Sequence, residues 1–94
     1  MARKEPDDVV VVEIEDSIDL HTFQPRDIPS VVESYLEAAT EKGFVEVRII
    51  HGRGKGVQRA RVQQVLSQSP LVASFHDAPA SRGGWGATVV RLKH

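Results

Sequence analysis

The chain has no cysteine, which excludes a disulfide framework and a thiolate metal centre and fits a reducing compartment. Aromatic residues are scarce at 5%, and the 40% hydrophobic content comes largely from valine. No apolar run approaches the ~20 residues that span a bilayer. Met1 to Asp8 is charged and lacks the apolar stretch of a secretory signal, so a soluble cytoplasmic protein with no membrane partner is expected. Acid is missing from one long interval: no Asp or Glu lies between Glu46 and Asp77. Residues 1–46 carry 12 acids against 4 bases, whereas residues 47–94 carry 8 bases against 1 acid. The net charge of −1 therefore hides a basic cluster of Arg48, Arg53, Lys55, Arg59 and Arg61, which attracts polyanions through its local field. A solvated helix face is the plainer reading of Arg59 and Arg61.

What is present fits one domain over residues 9–94 behind a flexible 1–8 segment. Val9 to Ile14 and Ile18 to His21 read as short strands. Ile28, Val31, Val32, Tyr35, Leu36 and Ala39 repeat at helical spacing, with Pro29 in the first turn and Lys42-Gly43 as the stop. Asp27 and a Ser30/Glu33 capping box compete for the helix start. Val45 to Ile50 predicts a strand. Val57 to Ser69 predicts a second helix, with Val57, Ala60, Val62, Val65 and Leu66 inward and Pro70 ending it. Leu71 to Phe75 and Ala87 to Leu92 predict strands around a Pro79 to Gly86 loop. The order β-α-β-α-β-β implies an α/β two-layer sandwich, a mixed sheet of about four strands with two helices on one face.

Two histidine motifs carry the chemistry. In Ile18-Asp19-Leu20-His21, alternation puts Asp19 and His21 on one face and Leu20 on the other. In His51-Gly52-Arg53-Gly54-Lys55-Gly56, alternate glycines permit positive φ and close approach, between a strand and a helix N-terminus. A crossover helix would make the two strands parallel and bring both histidines to one carboxyl edge, with backbones ~5 Å apart if the strands are adjacent or ~10 Å with one strand between. One imidazole as general base and the other as general acid would suit phosphodiester hydrolysis, with Asp19 orienting His21. Gly52, Arg53, Gly54, Lys55, Gly56, Arg59 and Arg82 are the candidate phosphate contacts. Asp19 is the candidate ligand if Mg²⁺ takes part. A zinc site from His21, His51 and Asp19 matches in ligand type but lacks the usual spacing. Trp85 has two readings, a platform for an unpaired base or a cover for a core edge.

Together, Ile18-Asp19-Leu20-His21, Ile50-His51-Gly52-Arg53-Gly54 and Gly83-Gly84-Trp85-Gly86-Ala87-Thr88 resemble the signature of the Smr (small MutS-related) domain family, across roughly residues 16 to 92. The resemblance implies a sandwich similar to the C-terminal domain of translation initiation factor 3. It also implies a stand-alone member that binds branched or single-stranded DNA or RNA, with endonuclease (nicking) activity at Asp19, His21 and His51. Thr22 stands where the common motif has glycine. That departure favours the alternative implied function, a non-catalytic nucleic-acid or protein adaptor in DNA repair or ribosome-associated RNA processing.

Overall fold

The computed structural model describes residues 14–54 and 56–93. The expected strand at Val9 to Ile14 lies outside them apart from Ile14, as do Lys55 and His94. Four strands, β1 (Ser17–Asp19), β2 (Glu46–Ile50), β3 (Val72–Asp77) and β4 (Ala87–Leu92), form one sheet in the order β1-β2-β4-β3. Helices α1 (Ile28–Glu41) and α2 (Val57–Gln68) lie between the strands in sequence. Among the described residues no helix is long and apolar enough to cross a membrane.

β1 runs parallel to β2, and β4 runs antiparallel to both β2 and β3. The register pairs Asp19 with Ile50, Ile50 with Ala87, and Thr88 with Asp77. The carboxyl ends of β1, β2 and β3 and the amino end of β4 therefore meet at one edge of the sheet. Every chemistry-bearing loop leaves from that edge.

The helices share one face. Ile28, Val32, Leu36 and Ala39 of α1 and Val62 and Leu66 of α2 are buried with Val47, Ile49, Val90 and Leu92 of the sheet. On the opposite face Ile50, Ala87 and Val89 pack with Ala78 in a smaller cluster. Strand alternation assigns each residue to its side. α1 ends as its sequence predicts: Gly43 adopts φ +84°, its N–H bonds Thr40 O, and the Phe44 N–H bonds Ala39 O. This pairing at a left-handed glycine satisfies carbonyls that the last turn would leave open. The helix start is different. Asp27 occupies the cap position without a side-chain hydrogen bond, because a 3-10 turn at Pro25–Asp27 already feeds the helix.

Several boundaries depart from expectation. β1 stops at Asp19 because the Asp19 carboxylate accepts the His21 N–H at 2.9 Å, turning the chain out of the sheet. β3 extends to Asp77, since His76 and Asp77 pair with Val89 and Thr88 although neither is apolar. α2 buries only Val62 and Leu66; Val57, expected inward, is 57% exposed at the helix start, and Ala60 also faces out. The Pro79 to Gly86 loop contains two single 3-10 turns, Ala80–Arg82 and Gly84–Gly86.

Leu36 is fully buried between the helix layer and the sheet. Leu36→Ala is expected to destabilise the domain by about 2–5 kcal/mol. Urea unfolding followed by circular dichroism measures this, and a loss under about 1 kcal/mol contradicts the core assignment.

Candidate functional site

Asp19 and His21 sit where β1 ends. The Asp19 carboxylate accepts the backbone N–H and ring Nδ1–H of His21, and these bonds, the backbone one first, lower its pKa. A carboxylate can only accept, so Nδ1 carries a proton, and in the neutral tautomer the lone pair is on Nε2. Nε2 faces Gly52: a Cβ built there would lie 3.2 Å from it, and Gly52 itself has φ +81°. The His21 side chain remains 64% exposed.

His51 is placed quite differently. It is 6% exposed, its Nδ1 donates to Gly52 O at 3.0 Å, and its Nε2 accepts from the Thr88 hydroxyl at 2.9 Å. Burial is the main cause that lowers its pKa. The two histidines nevertheless border one shallow cavity of about 270 Å³, together with Arg53, Gly54 and the first residues of α2. Both N–H groups of His51 and Gly52 bond the same acceptor, Gly86 O, at 2.9 Å. This divided bond ties the histidine loop to the Gly83–Gly86 turn. It also engages two amides expected to face an anion, while Gly56 N–H closes a turn onto Arg53 O. The start of α2, which no side chain caps, supplies the remaining backbone donors of the cavity.

The basic cluster is mostly engaged internally. Arg59, expected on phosphate, forms a two-pronged ion pair with Asp77 at 2.9 and 2.8 Å, its guanidinium 5.4 Å from the Trp85 ring centre. Arg82, also expected to face phosphates, reaches Glu46 at 3.3 Å because its turn folds over the opposite sheet face. Arg48 holds Arg82 O and Arg61 holds Pro25 O. Among the described arginines of this cluster, Arg53 alone has a side chain with no hydrogen bond or ion pair to another described residue. Its stem passes Gly86 and its Nη2 lies against Gly84, where an added Cβ would come within 3.4 and 3.2 Å respectively. Trp85 does not cover the core: it is 69% exposed.

The zinc reading does not fit these side chains. Among the described residues no three His, Asp or Glu gather to hold an ion. The Asp19 carboxylate already serves His21, and both ring nitrogens of His51 are engaged. Sequence reasoning gave no role to Thr88 or Asp77. Thr88 shares strand parity with the core residues Val90 and Leu92, the signature of a buried hydroxyl that needs a partner. Asp77 is the sole acid after Glu46, the natural counter-charge for an arginine.

The Smr domain family matches residues 18–93, and the chain belongs to that family. It is 42% identical over 76 residues to Endonuclease MutS2 of Geobacillus kaustophilus, an alignment covering 81% of this chain and 10% of that protein. The chain thus spans about a tenth of the length of the curated relatives it matches. The crystal structure of the Smr domain of Thermus thermophilus MutS2 superposes with TM-score 0.79 at 35% identity, covering 83% of this chain and 98% of that one. YdaL, a stand-alone small MutS-related protein from Escherichia coli, gives TM-score 0.78 at 27% identity, covering 84% and 65%.

The buried, neutral His51 makes stability depend on pH. Its folded pKa lies below the ordinary value of 6.5, so the unfolded chain binds the proton more readily. Its contribution is complete above about pH 6.5 and is lost as pH falls toward the folded value. Asp19 and Asp77, with pKa values lowered from 3.8, act only in a more acidic window. Urea midpoints are expected to fall between about pH 7 and 5 in the native chain and to fall less in His51→Gln. Equal slopes in the two proteins contradict this role of His51.

Proposed function

We propose that this chain is a nucleic-acid-binding Smr domain that cleaves phosphodiester bonds endonucleolytically, in DNA or RNA. The observation that carries this reading is the Asp19–His21 pair, whose Nε2 faces Gly52 beside Arg53 and the uncapped start of α2. A phosphate seated there meets the N–H groups of the first turn and the Arg53 guanidinium, both of which stabilise charge that grows on its oxygens. His21 Nε2 then takes a proton from water or from a ribose 2′-OH. The new O–P bond forms as the bond to the leaving oxygen breaks, and solvent protonates that oxygen.

In this reading His51 acts through its neighbours. A neutral ring with both nitrogens engaged is poorly suited to deliver a proton, but its bond to Gly52 O fixes the residue that faces His21. His51 is a positioning residue. Lys55 extends the same loop and is proposed to add charge to the phosphate site. The second reading, a binding adaptor without cleavage, draws on the engagement of Arg48, Arg59, Arg61 and Arg82 in internal contacts. Those contacts leave little cationic charge for a transition state.

Incubating the purified chain with supercoiled plasmid and with structured RNA, with and without Mg²⁺, separates the two. His21→Ala is expected to slow cleavage by about 10²–10⁴-fold while binding persists. Cleavage undiminished in that variant contradicts the placement of the base, and no cleavage by the native chain under any condition selects the adaptor. In either case Arg53→Ala should weaken binding and reduce the salt slope by about 1. A salt slope unchanged in that variant contradicts the phosphate contact.

A further inference from the structure

A second cavity, about 520 Å³, opens on the other side of Arg53, between the Arg53–Gly54 corner, the Asp77–Ala78 strand end and Trp85. Its volume falls within the ~300–1,000 Å³ range of small-ligand sites. Arg53 and Gly54 line both this cavity and the histidine cavity. Trp85 lines this cavity and is 69% exposed, with the Arg59 guanidinium over one of its faces. Asp77 fixes that guanidinium with two bonds and accepts a further one from Gln63 at 3.3 Å. The indole is thus held by an anchored cation over one face while most of its surface stays exposed beside the cavity.

From this geometry we infer that the Trp85 cavity is a subsite for one unstacked nucleobase, whose own or adjacent phosphate lies across Arg53 in the histidine cavity. The inference rests on the phosphate reading of that cavity and adds a substrate class to it. Stacking is open to any base, because every base has a π-face, so the subsite selects an unpaired nucleotide and not a sequence. A base inside a duplex is stacked on its neighbours and cannot lie flat on the indole. The alanine walls at Ala78 and Ala80 suit a flat apolar ring, and the shared Arg53 suits the charge beside it. An aromatic peptide side chain would bring no phosphate to Arg53. Asp77 and Arg59 are positioning residues here, since they act on the base through Trp85.

The chain contains one tryptophan, so its fluorescence reports this position alone. The 94-residue chain is titrated at low salt with single-stranded oligothymidylate, with an abasic oligomer of equal length, and with a blunt duplex. Oligothymidylate should quench the emission, and the abasic oligomer should bind without comparable quenching. By fluorescence anisotropy of labelled oligomers, Trp85→Ala should weaken oligothymidylate binding by about 10-fold and leave the abasic oligomer unchanged. Trp85 is exposed, so this variant keeps the fold, which circular dichroism verifies. Unchanged affinity of Trp85→Ala for oligothymidylate, or equal quenching by the abasic oligomer, overturns the base subsite while leaving the phosphate site standing. Failure of the native chain to bind any of the three overturns both.

Discussion

The carbonyl of Gly86 holds this site together. It accepts the N–H groups of both His51 and Gly52, fastening the loop after β2 to the turn before β4. Adjacent amides can converge on one oxygen only where the backbone bends sharply, and Gly52 at φ +81° supplies the bend. Three consequences follow. Gly52 comes to rest against His21, His51 turns inward to Thr88, and Arg53 is left to pass over Gly86 toward Gly84. A side chain at either glycine would press on His21 or on Arg53.

The two histidines show how strand position divides chemically identical groups. His21 follows a strand at the edge of the sheet and leaves it through a turn, so it meets solvent with one nitrogen held by a carboxylate. His51 follows a central strand on the helix-facing side, so it is buried and must have both nitrogens satisfied. The carboxylate holds Nδ1 of His21 and leaves its Nε2 toward Gly52, whereas burial lowers the His51 pKa and favours its neutral form. The same division runs through the arginines. Arg59 gives its fork to Asp77 and its flat face to Trp85, and Arg53 keeps its charge for the cavity mouth. A guanidinium fork matched by a carboxylate is geometrically complete and holds its orientation.

Much of the fold was legible in the chain because its signals are local. Apolar spacing marked α1, Gly43 marked its end, and β-branched runs marked β2 and β4 to within a residue. Topology then followed from the crossover rule, and with it the meeting of Asp19, His21, His51 and the glycine loop at one edge. The carboxyl end of β3 was not legible, since His76 and Asp77 join the sheet through pairing with β4 and not through hydrophobicity. Nor was the outward placement of Val57, whose spacing matches the buried stripe of α2 but whose position at the helix start lies beyond the sheet.

The sequence by itself determined the family, the layer order and the inventory of the site: an Asp-x-His pair, a basic glycine loop and one tryptophan. Those are matters of residue type and spacing along one strand or one turn. Only the tertiary structure decided which histidine is open, which carboxylate holds Arg59 and how far Trp85 is exposed. Each of those depends on partners 18 to 37 positions away: Thr88 for His51, Asp77 for Arg59, and Arg59 for Trp85. Composition shows that such groups exist. The desolvation of a ring, the closure of an ion pair and the exposure of an indole are settled only when the sheet brings distant strand ends to one edge.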